Sequence, residues 1–298
     1  MPYYSPLRYP GGKRRLSNYM KLVLQENSLL GAHYVEPYAG GCAVSLALLF
    51  EGYASRIHIN DLSRPVYAFW HAVLYETEPL CSRIRQTPVT VDEWHHQRAI
   101  QEHASEVSLL DLGFSTFFMN RTNRSGIITG GMIGGKNQRG SYKLDARYNV
   151  EDLIDRIERV ASHRSQIGVY DQDASLFITY VLPTLPHNAL VFLDPPYYSK
   201  GKDLYENEYD YEDHKRVADL VRGMDQPWVL TYENMPEIER LYEGYRSIEY
   251  YLSYSAAGRY RGSELMFFCD KLTVPTVVDL ARVSSRDIPE MQAALPVV

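Results

Sequence analysis

Five apolar residues, Ala189-Leu190-Val191-Phe192-Leu193, run without interruption into Asp194-Pro195-Pro196-Tyr197. A short apolar run stopped by prolines predicts a strand buried on both faces, as in a parallel sheet, because proline cannot donate to a ladder and so ends it. The acid is then left at the strand's carboxyl tip. Ligands of open α/β sheets bind in the crevice beyond those tips, so a carboxylate, two rigid carbonyls and an aromatic ring face a candidate site. The plainer reading of the same residues is a Pro-Pro turn with an aspartate in solvent.

The cluster suits one kind of chemistry well. An aromatic amino group, such as that of adenine, is a poor nucleophile because its lone pair is delocalised into the ring. The Asp194 carboxylate and the Pro195 carbonyl can each accept one of its hydrogens, which frees the lone pair to attack. Proline fixes the backbone, so the carbonyl is aimed in advance. Tyr197, with Tyr198, can stack on a base swung out of a duplex. Asp194, Pro195, Pro196 and Tyr197 are therefore the candidate catalytic residues, and the chemistry needs neither a metal nor a covalent intermediate.

The 298 residues suffice for one large α/β domain with an insertion, or for two modest domains. No stretch approaches the roughly 18 to 20 apolar residues of a membrane span, and Met1 to Pro10 lacks a signal-peptide core. Cys42, Cys81 and Cys269 show no CxxC spacing, so neither a disulfide framework nor a zinc site is expected. These features together predict a cytoplasmic protein. A net charge of −6 confines any nucleic-acid footprint to local patches. Two such patches exist: five Lys or Arg and no acid from Met1 to Gln25, and six against the single Asp145 from Thr116 to Asn149. Basic stretches beside a site in an acidic chain fit a phosphate backbone held at one face.

Near the start, Leu7 to Leu16 (LRYPGGKRRL) places Tyr9 and Lys13 about a Gly-Gly turn, without the GxxxxGK[ST] of a P-loop. Ser17 to Leu30 has helical periodicity and stops at Gly31. His33-Tyr34-Val35 reads as a strand ending in Glu36-Pro37-Tyr38-Ala39-Gly40-Gly41, and Cys42 to Glu51 reads as a buried helix. Strand, glycine turn and helix form a nucleotide-binding βα unit, in which glycine lets the backbone approach a ligand closely. The next strand, Arg56 to Asp61, ends on an acid about twenty residues past Gly40, the spacing at which an acid meets ribose hydroxyls. Without GxGxxG there is no pyrophosphate cradle, which favours a mononucleoside such as S-adenosylmethionine.

LRYPGGK, VEPYAGG, IND and LDPPYY, in this order and spacing, resemble the Dam-like DNA adenine methyltransferases from about Leu7 to Asp270. The resemblance implies an α/β, class I S-adenosylmethionine-dependent methyltransferase fold, Rossmann-like with a mostly parallel sheet. A mainly helical target-recognition domain over 62–164 would interrupt a catalytic domain made of 1–61 and 165–298. Tyr9, Lys13, Asp61 and Asp194 would line the methionine-to-ribose part of the cofactor site with Glu36, Pro37, Tyr38 and Gly40, and Tyr170 and Asp173 would lie nearest its adenine. Tyr9 stands where the family often has Trp, and Tyr38 where it often has Phe; both keep an aromatic surface. Asp173 reads almost as well as a helix N-cap.

The implied partner is double-stranded DNA. Arg and Asn reach guanine and adenine edges bidentately, and Lys and Ser suit phosphates. On that basis, and by position within the family, Asn120, Arg121, Asn123, Arg124, Lys136, Arg139 and Tyr142 are the expected DNA contacts. Arginines that merely pair with acids are the plainer reading. His95, His96 and His103 lack a completing Cys or carboxylate and predict a solvated helix over Val91 to Glu106 rather than a metal. Neither a metal nor a membrane partner is expected, and a monomer is. Ser199 to Asp213 reads as a mobile closing loop, Pro227 to Asn234 as a strand, and Ile248 to Ser255 with Glu264 to Cys269 as an antiparallel pair whose connecting Arg259 and Arg261 can meet phosphate. From Asp279 onward the chain reads as a weakly ordered tail. The competing functions are a non-catalytic DNA-binding regulator on the same fold and an enzyme acting on RNA adenine; the intact Asp-Pro-Pro-Tyr favours DNA adenine.

Overall fold

The computed structural model describes residues 3–9, 13–198, 209–254 and 260–290. The Leu190–Leu193 strand, here β4, is buried at every position, as its unbroken apolar character requires. Its neighbours are β1 (His33–Glu36) on one side, with Val35 opposite Val191, and β5 (Trp228–Glu233) on the other, with Phe192 opposite Val229. Both pairings are parallel. Beyond β1 lie β2 (Arg56–Asn60) and β3 (Ile167–Tyr170), also parallel. Beyond β5 the sheet turns antiparallel through β7 (Tyr260–Phe268) to β6 (Arg246–Tyr254). The order is thus β3-β2-β1-β4-β5-β7-β6, the Rossmann-like α/β arrangement expected from the sequence. Connections from β1 and from β4 run outward in opposite directions, so the crevice for a ligand opens between their tips.

Helices flank this sheet: α1 (Ser17–Glu26) and α2 (Ala43–Phe50), then α3 (Arg64–Tyr75), α4 (Thr77–Gln86), α5 (Val91–Glu102), α6 (Leu109–Thr122) and α7 (Val150–Ser162) between β2 and β3. The short α8 (Ala174–Leu176) follows β3, α9 (Tyr211–Arg222) follows β4, and α10 (Pro236–Leu241) follows β5. Helix α1 stops four residues before Leu30 because Ser28 takes a left-handed conformation, with φ of 56°. Apolar core runs without a break from the sheet into the helices between β2 and β3. Phe69 of α3 stacks on Phe117 of α6 at 6.1 Å, and the neighbouring Trp70 donates from Nε1 to the Gly40 carbonyl at 2.9 Å. One helix thereby joins the insertion to the floor of the crevice.

Two expectations need amendment. The described part of the segment after Asp279 is docked rather than loose: Leu280 and Val283 are buried, and Asn18 of α1 donates to the Val283 carbonyl at 2.9 Å. Apolar residues at 280 and 283 give it something to bury. Of the expected closing loop, 199–208 lie outside the described residues, as does Arg259. Asp210 instead caps α9, which starts at Tyr211, with Asp210 and Asp213 forming a reciprocal capping box. Among the described residues no helix is long and apolar enough to cross a membrane.

Candidate active site

Asp194 follows β4 directly, and its two oxygens have different surroundings. Oδ1 lies 3.1 Å from the Lys13 ammonium and accepts from the Thr231 hydroxyl of β5 at 2.8 Å. Among the described residues Oδ2 takes no hydrogen bond, and the side chain is one-fifth exposed toward a cavity of about 920 Å³. Burial pushes the Asp194 carboxyl above the usual carboxylate range; Lys13 opposes that rise and Glu264 adds to it. Pro196 also faces the cavity, whereas Pro195 and Tyr197 are buried behind it. The Tyr197 ring, expected as a stacking surface, sits with its hydroxyl donating to Glu264 Oε1 at 2.6 Å and accepting from Lys13 at 3.1 Å.

Glu264 escaped the sequence reading, as did Thr231. A signal for Glu264 existed. It leads directly into Leu265-Met266-Phe267-Phe268, an apolar run of β7 buried on both faces, so an acid there has to be buried and paired.

The other wall of the crevice is backbone and carboxylate. Gly40 has φ of +48°, and a Cβ there would come within 2.7 Å of the Tyr9 ring; a Cβ on Gly41 would come within 2.9 Å of Tyr9. Only glycine leaves room for that aromatic lid over the turn. Asp61 accepts from the Gly40 amide at 2.8 Å and from the Ser63 amide at 2.9 Å. Beside it the buried Asn60 side chain donates to the Pro37 and Gln172 carbonyls and accepts from the Gln172 amide, stapling the tips of β1, β2 and β3 together. Glu36 accepts from the Ser45 amide at 3.1 Å, and burial pushes its carboxyl up to about 8.

Glu36, Pro37, Tyr38, Gly40, Asp61, Tyr9 and Lys13 thus line one cavity with Asp194. Tyr170 and Asp173 stand apart from that lining: the Tyr170 hydroxyl meets His58 Nδ1 at 3.0 Å, and Asp173 caps α8 by accepting from the Ser175 amide at 2.9 Å.

A glycine cradle and carboxylates that can accept from hydroxyl or ammonium groups fit a nucleoside cofactor bearing an amino acid. Gly40→Ala is expected to displace Tyr9 and weaken binding of S-adenosylhomocysteine about tenfold, the equivalent of about 1.4 kcal/mol, as read by calorimetry. A Gly40→Ala protein with unchanged affinity would show that the cradle is not where the cofactor lies.

Two of the expected DNA contacts are not available to DNA. Asn120 is buried in α6, accepting from the Arg8 amide at 2.8 Å and donating to the Arg8 and Gly126 carbonyls at 2.7 and 2.8 Å. Asn123 is buried too, donating to the Ile127 and Ile128 carbonyls and accepting from Trp94 Nε1 at 2.6 Å. Both amides are used up in shaping the loop after α6.

Arg121 differs. Its Nε donates to the Arg147 carbonyl at 2.7 Å, its terminal nitrogens have no hydrogen-bond partner among the described residues, and it lines the cavity. Burial, then the charges of Arg8 and Arg156, lower its guanidinium to about 10. Arg8 and Arg147, which the sequence reading did not single out as contacts, face the same cavity. Arg124, Lys136, Arg139 and Tyr142 are exposed on the loop that follows, where Arg147 lies 5.7 Å from the Tyr142 ring. His96 and His103 each face a separate glutamate, Glu93 and Glu106, and among the described residues no group of metal-ligating side chains converges.

The chain is similar to several known methyltransferases. A Type II methyltransferase, M.CviBI of Paramecium bursaria Chlorella virus NC1A, is 24% identical over 227 residues, covering 74% of this chain and 80% of that protein. Among solved structures, the rRNA methyltransferase AviRa of Streptomyces viridochromogenes aligns at 12% identity with a TM-score of 0.39, covering 88% of this chain and 87% of its own. A SAM-dependent methyltransferase of Agrobacterium tumefaciens aligns at 11% identity with a TM-score of 0.38, covering 85% and 59%. The profile of D12 class N6 adenine-specific DNA methyltransferases matches residues 9–255, spanning Tyr9, Lys13 and Asp194 of the crevice. With the sheet order, the Asp-Pro-Pro-Tyr tip and this match in agreement, the chain belongs to the D12 class of N6 adenine-specific DNA methyltransferases.

Proposed function

We propose that this DNA adenine methyltransferase transfers a methyl group to an adenine flipped out of duplex DNA, with Asp194 Oδ2 and the Pro195 carbonyl as the two acceptors of the target amino hydrogens. The observation that carries this reading is the division of labour within one carboxylate: Lys13 and Thr231 hold Oδ1, and Oδ2 is left for the cavity. A fixed acceptor needs no reorganisation as the amine pyramidalises, the condition under which electrostatic stabilisation is most effective. S-adenosylmethionine, when bound, supplies the electrophilic methyl group. Glu36 and Asp61 supply acceptors for its amino and hydroxyl hydrogens, and the Gly40 turn lets it approach the backbone.

The segment 62–164 serves as the target-recognition unit, and 1–61 with 165–298 as the catalytic one. In support, the arginines at 8, 121 and 147, drawn from both segments, line the cavity, where their charge suits phosphate. An exposed Arg124, Lys136, Arg139 and Tyr142 then meet the duplex farther out.

Mixed-sequence duplex DNA incubated with labelled cofactor, followed by mapping of modified bases, tests the reaction. Label is expected at adenine N6 within one recurrent sequence. Label confined to cytosine, to RNA, or to no nucleic acid would reject it. Arg121→Gln is expected to weaken duplex binding about tenfold and to reduce the salt-dependence slope by about one. An unchanged slope would remove Arg121 from the phosphate set.

A further inference from the structure

Glu264 lies only 1% exposed on β7, paired across the hairpin with Tyr250 of β6 and across the sheet with Glu233 of β5. A carboxylate so buried persists only if its oxygens are satisfied. Its partners are those of the reaction site. Lys13 lies 3.1 Å from both of its oxygens, Tyr197 donates to Oε1 at 2.6 Å, and Tyr250 donates to Oε2. The same Lys13 ammonium lies 3.1 Å from Asp194 Oδ1 and donates to the Tyr197 hydroxyl. One cation is therefore shared by two carboxylates, and the last residue of Asp-Pro-Pro-Tyr is pinned by the second of them.

We propose that Glu264 is a positioning residue for methyl transfer: it clamps Lys13 and the Tyr197 hydroxyl, and by sharing the Lys13 charge it keeps Asp194 a strong hydrogen-bond acceptor. The proposal rests on the assignment of Asp194 as acceptor of the amino hydrogens. An ammonium bound by Asp194 alone would draw electron density from that carboxylate and weaken its grip on a third hydrogen. An ammonium held also by Glu264 is half engaged elsewhere, so Oδ1 is fixed in place while the group stays basic. Among the described residues the other titratable groups facing Asp194 are Glu36 and Tyr34 on β1, Tyr232 on β5 and Tyr250 on β6. Burial keeps the three tyrosines protonated at neutral pH and raises the Glu36 carboxyl to about 8. Lys13 and Glu264 are accordingly the pair that sets the local charge.

Single-turnover methylation of a duplex carrying a mapped site, at saturating cofactor between pH 5 and 9, tests the role. Glu264→Gln is expected to slow the chemical step about ten- to hundredfold, the scale of a catalytic group displaced by an ångström. Affinity for DNA and for S-adenosylhomocysteine is expected to stay within about twofold, since neither ligand gains a new clash. The acidic limb of the rate profile should move to lower pH in Glu264→Gln, because Asp194 loses a neighbouring negative charge. In Lys13→Met it should move to higher pH, because Asp194 loses its cation. The double variant should be little slower than the slower single one, as expected of residues acting through one contact.

A Glu264→Gln enzyme with the parent rate and acidic limb overturns the proposal, as do limbs that move in the same direction in both single variants. If Glu264→Gln does not fold, Tyr250→Phe removes only one of its donors, and a severalfold loss of rate with the same direction of limb shift is then required. Parent enzyme that leaves adenine unlabelled would overturn the assigned reaction itself. A fully active Glu264→Gln would overturn only the part played by Glu264.

Discussion

Asp194→Ala is expected to lower the single-turnover methylation rate by about 10³-fold or more while leaving duplex affinity within about twofold. Removing one preorganised partner of a developing charge costs about 10² to 10³ in rate elsewhere, and here the lost group is also the anchor of Lys13 and Thr231. The arginines proposed to hold the duplex, Arg8, Arg121 and Arg147, line the same cavity, and among the described residues none of them is a hydrogen-bond or ion-pair partner of Asp194. Burial raises the Asp194 carboxyl above its ordinary range. With the ionised form as the proposed acceptor, the parent activity should fall away on acidification at a higher pH than an exposed aspartate would give, and Asp194→Asn should lose that limb together with the activity. Turnover by Asp194→Ala within tenfold of the parent would remove the carboxylate from the mechanism.

The second large effect is on stability. Asn120→Ala leaves the Arg8 amide, the Arg8 carbonyl and the Gly126 carbonyl without their partner, at about 1 kcal/mol or more for each buried group left unpaired. A total of about 3 kcal/mol is expected, which in a chain of this size lowers the thermal midpoint by about 5–10 °C. Thermal melts followed by circular dichroism read it directly. A side chain that merely touched a base would give the opposite pattern, with normal melting and weakened DNA binding. That outcome would show that the buried amide is not the fastening it is in this structure.

Much of the crevice was legible because it is written in contiguous residues. Leu190–Leu193 with Asp194, Arg56–Asn60 with Asp61, and His33–Glu36 with its glycine turn each carry strand and functional tip together. Strand burial and proline punctuation therefore place the acids without further information. Asn120 and Asn123 misled for a physical reason. An asparagine offers the same donors and acceptor to a base edge and to a backbone, and its residue type does not say which. The clue was that α6 is buried from Leu112 to its end, so any amide within it has to be satisfied inside the protein. Neighbours along the strand mark Glu264 as buried but not what it pairs with: its partners Tyr197 and Lys13 lie 67 and 251 positions away. Asp173 carried two readings, and the structure shows the cap.

The Asn120 amide grips Arg8 by both its amide and its carbonyl, and the next residue, Tyr9, rests on the Gly40 turn. Helix α6 is thus fastened, through one side-chain amide, to the residue just before the ring that covers the glycine turn. The insertion and the glycine turn therefore share one fastening point, Arg8, and Asn120→Ala loosens both at once.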